Sequence, residues 1–249
     1  MPDILKMAGL TKRFGGTQAV SDFSAEIRTG AITGLIGPNG CGKTTLFNLI
    51  TGFLRPDAGE IKFDGLPVLR RRPQAIVRLG IGRTFQEMRL IRKMSVAENI
   101  LLSFPHNSGE SVFGALLWRW GHFEKANSAR LDEIIDFVQL GEVRRHPASE
   151  ISYGQQKLLS IGCVLSLSPR LLLLDEPFSG LSPVMIQKIS GLLKTLVASG
   201  KTIFLIEHNL QAVEKGCDDV IVMNEGKKLV QGPPTVIRDD PRVLEAYLS

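Results

Sequence analysis

The residues best suited to chemistry form a glycine-rich stretch, GPNGCGKTT, which spans residues 37–45. It fits the pattern G-x-x-x-x-G-K-[ST], in which the glycines let the backbone curve closely around a phosphate. In such a loop Lys43 can reach the β- and γ-phosphates of a nucleotide, and the Thr44 hydroxyl can ligate Mg²⁺. We therefore predict a nucleoside triphosphate site formed by Gly37, Pro38, Asn39, Gly40, Cys41, Gly42, Lys43, Thr44 and Thr45.

The segments on either side of this stretch are those that a phosphate-binding loop requires. Residues 31–36 form a short apolar run of strand length. Leu46, Leu49, Ile50 and Phe53 follow at the i, i+3, i+4, i+7 spacing of one helix face. The loop is therefore predicted between a buried strand and a helix N-terminus, where free backbone N–H groups and the helix dipole favour an anion. A glycine-rich turn that merely precedes a lysine would not need both flanking elements.

Two adjacent carboxylates follow a second apolar strand, in the sequence LLLLDEP. The run 171–174 predicts a buried parallel strand, and ligands of open α/β sheets bind at the carboxyl ends of such strands. Asp175 suits the Mg²⁺ shell, and Glu176 suits activation of a water for attack on the γ-phosphate. The alternative is that the two acids simply begin a loop, but the phosphate loop elsewhere in the chain favours the catalytic interpretation.

A histidine and a glutamine complete the candidate catalytic set. His208 follows the run 202–206, which predicts another buried strand. If the ends of the neighbouring strands carry Lys43 and Asp175, His208 would lie near a γ-phosphate. Gln86 follows a short apolar segment and can ligand a metal ion, or its water, through the side-chain oxygen. A surface glutamine or a lone histidine would indicate nothing alone, so both predictions depend on the loop and the carboxylates.

Two further positions have both a structural and a functional interpretation. Ser152 and Gln155, in ISYGQQ, fit the capping box S-x-x-Q, which fully accounts for them as a helix start. The functional alternative is a second anion site at this helix N-terminus, formed by the Ser152 hydroxyl and the Gly154 backbone; the local sequence leaves both open. Phe14, in KRFGG, is most simply a core residue, but the adjacent glycines indicate a surface tip where it could stack on a base.

The remaining pattern predicts an α/β fold: a P-loop NTPase core of mainly parallel sheet with an antiparallel β layer and an inserted α-helical subdomain. Alternating runs predict the antiparallel strands, and the face Leu131, Ile134, Ile135 and Val138 predicts a helix in the insert. We expect one domain over residues 1–249, with the nucleotide core at 1–87 and 148–249 and the helical subdomain at 88–147. The aromatic stretch 113–123, with Trp118 and Trp120, is interpreted as packing. Predicted strands include residues 4–10, 20–27, 60–63, 220–223 and 228–230.

The composition of the 249 residues restricts the class of protein. The net charge of +5 is mildly basic but dispersed, and the densest run, residues 70–72, is typical of a solvated face. The three cysteines are odd in number and have no metal-ligand spacing, which favours a reduced, cytosolic protein. We expect no signal peptide, because no apolar h-region follows the N-terminus, and no membrane-spanning segment, because no apolar run reaches 18 residues. Any association with a membrane is therefore expected to be peripheral.

Taken in order, these motifs resemble the ATP-binding subunit of an ABC transporter. The resemblance covers essentially the whole chain: phosphate loop, glutamine, helical insert, S-x-G-Q, LLLLDEP and strand-end histidine. A narrower similarity, to the ATPases of branched-chain amino-acid importers of the LivG type, rests on several longer segments. These are GRTFQEMRLIRKMSVAEN, ISYGQQ, LLLLDEPFSGLSP, IEHNL and DDPRVLEAYLS.

The resemblance implies roles that the residues alone leave open. It implies ATP with Mg²⁺, with Phe14 stacked on adenine and Gln86 sensing the metal and the attacking water. Glu176 matches the catalytic base and His208 the switch histidine. The signature motif, which such proteins apply to ATP held by the opposite subunit, matches Ser152, Tyr153, Gly154 and Gln155.

The resemblance also implies partners and a location. The partners are polytopic membrane permease subunits, a second ABC ATPase subunit (a related heteropartner or a second copy) and, indirectly, an extracytoplasmic solute-binding protein, but no nucleic acid. The implied location is the cytoplasmic face of the inner membrane. Residues 87–99 match the region that receives a short helix of the membrane subunit; the alternative is an amphipathic stretch that covers the helical subdomain.

Two positions depart from the family pattern. Tyr153 stands where the commonest signature has glycine, although amino-acid importer ATPases tolerate this. Ser182 stands where many members carry aspartate, so communication between the two ATP sites of a dimer is expected to be weaker.

Other functions remain as alternatives. A urea or amide importer fits the same motifs, because selectivity for the transported molecule lies in other subunits. A soluble ABC protein acting on nucleic acid or ribosomes usually has two fused ATPase domains or long coiled arms, and this chain has neither. A free-standing kinase or GTPase is disfavoured by S-x-G-Q and by the lack of a segment for a phosphoryl acceptor.

Overall fold

The structure is a computed structural model that describes residues 2–85, 88–105, 120–208 and 210–248. The chain divides into two compact units, one formed by residues 1–86 and 169–249 and the other by residues 87–168. The predicted metal-sensing Gln86 lies outside the described residues, as does most of the aromatic stretch that was interpreted as packing.

The first unit contains all the strands that the described residues form, and they are arranged in two sheets. One sheet is antiparallel, with the order β2-β1-β4-β5. The other has the order β10-β9-β3-β8-β7-β6 and is parallel except where β10 pairs with β9. The strands are β1 (Asp3–Phe14), β2 (Thr17–Arg28), β3 (Ile32–Ile36), β4 (Ala58–Phe63), β5 (Leu66–Pro67), β6 (Ile81–Arg83), β7 (Leu171–Asp175), β8 (Thr202–Ile206), β9 (Asp219–Asn224) and β10 (Lys227–Gly232).

The sequence of each strand agrees with its position in the sheets. β3, β7 and β8 are buried along their whole length, as expected for parallel strands covered on both faces. β2 alternates buried and exposed residues towards its end, as expected for an antiparallel strand with one solvated face. The large rings of Phe23, Phe47, Phe63 and Phe204 are fully buried in one apolar cluster that joins the two sheets and the first helix. The predicted fold class, a mainly parallel sheet with an antiparallel layer, is confirmed.

The helices are divided between the two units. Within the described residues no helix is both long enough and apolar enough to cross a bilayer. The first unit contains α1 (Lys43–Ile50), α2 (Pro73–Leu79), α6 (Pro183–Ala198), α7 (Leu210–Gly216), α8 (Pro234–Arg238) and α9 (Pro241–Leu248), and the second unit contains α3 (Val96–Leu102), α4 (Trp120–Phe137) and α5 (Tyr153–Leu165).

The second unit is helical, and its boundary differs from the expected one. The predicted apolar face, Leu131 to Val138, is buried as expected. The expected boundary at residue 148 would assign α5 to the nucleotide core, yet the helical unit continues to residue 168. The physical reason is packing: α5 contacts both α3 and α4, and a Cβ added at Gly162 would lie only 3.3 Å from the Ile100 side chain. This close approach ties α5 to the helical unit.

Candidate nucleotide-binding and hydrolysis site

The carboxyl ends of four parallel strands bring the candidate residues to one edge of the larger sheet. β3 leads directly into the phosphate loop, β6 ends at Arg83, β7 ends at Asp175, and β8 is followed by Glu207 and His208. Because ligands of open α/β sheets bind at this edge, the topology gathers the phosphate loop, Asp175, Glu176 and His208 where a ligand would bind.

The backbone of the phosphate loop is fixed by two glycines with close neighbours. A Cβ at Gly37 (φ +152°) would lie 2.0 Å from the Met223 carbonyl oxygen, and one at Gly42 (φ +108°) would lie 2.1 Å from the Ala19 carbonyl oxygen. No side chain fits at either position without moving backbone, so the two glycines of the motif are required by packing. Gly40 (φ +80°) lies in open space, where its positive φ requires glycine for conformational reasons.

The start of α1 is suited to bind phosphate. Its N-cap is Gly42, no side chain of the described residues caps it, and its first turn contains no acid. The buried Lys43 folds back across the loop and donates from Nζ to the carbonyl oxygens of Gly37 (2.7 Å) and Pro38 (2.8 Å). Backbone N–H groups, the helix dipole and an ammonium group therefore combine at one point, which fits the phosphates of a nucleotide.

A polar face of α1 connects the loop to the end of β7. Thr44, Asn48 and the C-cap residue Thr51 share this face because they are spaced i, i+4, i+7. Arg83 donates to Asn48 Oδ1 (2.7 Å) and to Thr51 Oγ1 (3.2 Å), and it forms an ion pair with Asp175 Oδ2 (3.1 Å). The Thr44 hydroxyl and the Asp175 carboxylate are hard oxygen donors of the kind that Mg²⁺ takes beside nucleotide phosphates, so this set fits the metal.

Glu176 and His208, both predicted to be catalytic, lie close together. Glu176 Oε1 is 3.7 Å from His208 Nδ1, an ion-pair distance when the imidazole is protonated. The backbone of Glu176 has φ +49°, an unusual conformation for a non-glycine residue, and its N–H donates to the Ile206 carbonyl oxygen at 3.0 Å. The chain therefore turns sharply straight after β7, and this turn sets the direction of the Glu176 side chain.

Glu207 is a site residue to which sequence reasoning assigned no role. It is fully buried, and burial raises the pKa of its carboxyl group. Its Oε1 accepts from the Phe178 N–H (2.8 Å) and its Oε2 from the His208 N–H (3.3 Å). It thus joins the loop after Glu176 to the loop that carries His208. The sequence feature that could have identified Glu207 is its position directly after an apolar strand.

Phe14 occupies the surface tip that was expected from its glycine neighbours. It ends β1 at the hairpin with β2, its side chain is 48% exposed, and Lys12 Nζ lies 5.6 Å from the ring centroid. The ring is accessible for stacking, but its contact with a base stays a prediction.

The N-terminus of α5, in the second unit, has the structural feature that the sequence predicted. Ser152 Oγ accepts from the Gln155 N–H (3.3 Å), and Gln155 Oε1 accepts from the Ser152 N–H (2.8 Å). The capping box is therefore confirmed, whereas the anion-binding role of Ser152, Tyr153, Gly154 and Gln155 stays a prediction. Tyr153 is exposed, and Lys157 Nζ lies 5.7 Å from its ring centroid.

The fold and the loop together define a P-loop nucleotide-binding protein. The family model for ABC transporters matches residues 20–179, and the chain belongs to this family. The chain is 36% identical over 250 residues to BraF, a high-affinity branched-chain amino acid transport ATP-binding protein of Pseudomonas aeruginosa. It is 39% identical over 255 residues to the corresponding protein LivG of Salmonella typhimurium, and both alignments cover 99% of this chain and 98% of the relative.

A solved structure agrees over the full length. The crystal structure of the ADP conformation of an ATP-binding cassette of an ABC transporter matches with a TM-score of 0.86 and 32% identity, and the match covers 100% of both chains. The predicted resemblance to ABC ATP-binding subunits, and to the branched-chain amino-acid type among them, is confirmed.

Proposed function

We propose that this chain is the ATP-hydrolysing subunit of an ABC importer for branched-chain amino acids. The observation that carries the proposal is the convergence of Lys43, Asp175, Glu176 and His208 at one edge of the sheet. The transported class comes from the similarity to BraF and LivG, whose names assign them to branched-chain amino acid transport.

The geometry supports a separate role for each of these residues. The loop N–H groups and Lys43 bind the phosphates. Thr44 and Asp175 would hold Mg²⁺, which would supply positive charge to neutralise the phosphate oxygens. Glu176 accepts a proton from the water that attacks the γ-phosphorus in line. His208, at 3.7 Å from Glu176, orients that carboxylate, and Glu207 fixes the backbone of His208. Gln86 is proposed to contact the metal or the attacking water.

A second subunit completes the site in this proposal. The exposed α5 N-terminus, with Ser152 and Gly154, contacts ATP held by the partner ATPase, which is a related subunit or a second copy of this chain. ATP then stabilises the pair, and hydrolysis separates it.

The permease subunits would dock on the segment of residues 88–99. Ile91 is 44% exposed there and Leu90 is half-buried, between the cations Arg89 and Arg92. Asn99 fixes the backbone of residues 91–95. Its Oδ1 accepts from the Ile91 N–H (2.8 Å), and its Nδ2 donates to the Ser95 carbonyl (2.9 Å). A rigid apolar surface with a basic rim suits a helix of a membrane protein, because the apolar area supplies affinity and the charges set orientation. The proposed location is the cytoplasmic face of the membrane.

We expect Leu90→Asp to prevent assembly with the permease subunits, because it puts a charge on the apolar docking surface. Binding of ATP to the isolated chain should not change. The matched control is Leu66→Asp, at an exposed leucine of β5, which should assemble normally. Pull-down and transport assays of the two variants decide the matter: normal assembly of Leu90→Asp would place the docking surface elsewhere.

The importer assignment is tested by the reconstituted membrane complex with its solute-binding protein. We expect leucine, isoleucine or valine to stimulate its ATP hydrolysis. Stimulation by urea or a short amide, and by none of the three amino acids, would replace the proposed substrate class with amides. A complex without ligand-stimulated hydrolysis would contradict the importer proposal.

A further inference from the structure

Arg83 is an enclosed cation at the ligand-binding edge of the sheet, and no step of the mechanism above uses it. Its side chain is 6% exposed and that of its ion-pair partner Asp175 is 3% exposed. An arginine so enclosed requires partners for its guanidinium group, and it has them on two elements. Nη2 contacts Asp175 Oδ2 (3.1 Å) at the end of β7, while Nη1 donates to Asn48 (2.7 Å) on α1 and to Thr51 (3.2 Å), the C-cap residue of α1.

Two aromatic rings further fix the guanidinium group. Its Cζ lies 5.5 Å from the ring centroid of Phe47, on α1, and 5.0 Å from that of Phe85, just after β6. Phe85 in turn packs edge-on against Phe53, with 5.6 Å between centroids. Because arginine stacks on aromatic faces and its donors form a rigid fork, these contacts determine the direction in which Nη2 points.

The neighbouring residue holds the same aspartate at a second point. Thr84 Oγ1 accepts from the Asp175 N–H at 3.0 Å. Two consecutive residues at the end of β6 thus hold Asp175. Arg83 binds the carboxylate of Asp175, and Thr84 binds its backbone N–H. With its backbone fixed by Thr84 and its carboxylate bound by Arg83, the Asp175 side chain has little freedom to rotate.

An enclosed ion pair contributes little net stability compared with apolar residues of the same size, so stability alone is a weak account of this arrangement. Orientation of the Asp175 carboxylate is a stronger account. Mg²⁺ requires nearly octahedral geometry, and contacts that orient a carboxylate ligand alter metal affinity. Asp175 is the carboxylate assigned to Mg²⁺. The same guanidinium binds the α1 face that begins with Thr44, a second assigned ligand.

We propose that Arg83 is a positioning residue that orients Asp175 for the Mg²⁺ of the bound nucleotide. The inference rests on the proposed function, since it concerns the same ATP site. The proposal distinguishes two contributions to nucleotide affinity. The loop and Lys43 bind the phosphates without Arg83, whereas the additional affinity that Mg²⁺ provides depends on Arg83.

The test measures binding of a non-hydrolysable ATP analogue to the full chain, first in EDTA and then over a series of Mg²⁺ concentrations. For Arg83→Met we expect affinity in EDTA within about twofold of the parent protein, and a Mg²⁺ concentration for half-maximal tightening that rises roughly 10–100-fold. Arg83→Lys should give a smaller rise, because it keeps a positive charge that can pair with Asp175. Some rise should remain, because one ammonium cannot contact Asp175 and Asn48 in the geometry of the fork.

The matched control is Arg170, another arginine of the first unit that has an ion pair and an aromatic neighbour. It contacts Asp64 at 2.7 Å and lies 5.8 Å from the Phe63 ring centroid, but its side chain is 53% exposed and its partner is not a candidate metal ligand. Arg170→Met should leave the Mg²⁺ dependence unchanged.

The outcomes are distinct. If Arg83→Met fails to fold, then Arg83→Lys and Asn48→Ala, which remove fewer contacts, decide the question, with folding checked by thermal unfolding. Folded variants that need no more Mg²⁺ than the parent protein would overturn the inference and leave Arg83 a packing residue. A parent protein that binds no analogue in either condition would instead refute the proposed ATP site.

Discussion

Two helix N-termini carry motifs of this family, and they are built differently. α1 begins at Gly42, in the left-handed conformation, and no side chain of the described residues caps it. α5 begins at Ser152, in an extended conformation, and a complete capping box satisfies the N–H groups of both Ser152 and Gln155. Each helix lies in its own unit of the chain.

The difference shows that a motif at a helix start does not by itself define a ligand site. The α1 terminus leaves its donors for a phosphate and adds Lys43, so we expect it to bind nucleotide without help. The α5 terminus is partly satisfied by its own side chains, so its affinity for phosphate is expected to be low until a partner subunit presents ATP to it.

The largest expected effect concerns hydrolysis of ATP held at α1. Glu176→Gln removes the proposed base but keeps the size and shape of the side chain. We expect turnover to fall by roughly 10²–10⁴, the usual contribution of a general base, while ATP affinity is retained. Steady-state ATPase assays with Mg²⁺ and a binding titration measure the two quantities; turnover at the parental rate would remove Glu176 from this role.

A change at α5 should affect turnover without affecting binding to the single chain. Ser152→Arg puts a bulky cation where the partner's ATP would approach. We expect ATP-dependent association to be lost and turnover to fall at least about 10²-fold, comparable to the removal of a key donor. The assays are size-exclusion chromatography with ATP and steady-state hydrolysis, together with the related partner subunit where association requires it. An equal loss of ATP binding by Ser152→Arg and by a Lys43 variant would favour the capping role alone.

The smallest effect separates capping from ligand binding. Ser95 caps α3 with the same box, with Ser95 Oγ accepting from the Glu98 N–H and Glu98 Oε2 from the Ser95 N–H. Ser95→Ala and Ser152→Ala should each lower the free energy of unfolding by about 1 kcal/mol, measured by urea denaturation. Only Ser152→Ala should also reduce the turnover of the dimer. Equal turnover of the two variants would show that the Ser152 hydroxyl acts only as a cap.

The sequence predicted the fold, and it also pointed to the candidate residues of the site, because both depend on local patterns. Apolar runs marked β3, β7 and β8, and the fixed spacing of the loop marked Lys43 and Thr44. The Arg83–Asp175 pair was not predicted, because it joins residues 92 positions apart whose contact is set by the strand order β8-β7-β6. Likewise, Glu207 became significant only when β7 and β8 proved to be neighbours.

The division of the chain after residue 168 likewise depends on tertiary contacts. The sequence marks the start of α5 with a capping box, but it does not indicate which neighbours the helix packs against. The close approach of Gly162 to Ile100 is a tertiary contact.

The central claim is that the phosphate loop and the N-terminus of α1 bind nucleotide in the single chain, without a partner subunit. Titration of the isolated chain with ATP tests this most directly. Lys43→Ala removes an ammonium group whose attraction for a phosphate about 4 Å away is worth roughly 4 kcal/mol at intermediate dielectric, so affinity should fall by about three orders of magnitude. Ser152→Arg, measured beside it, should bind as the parent chain does. An unchanged affinity for Lys43→Ala would contradict the claim.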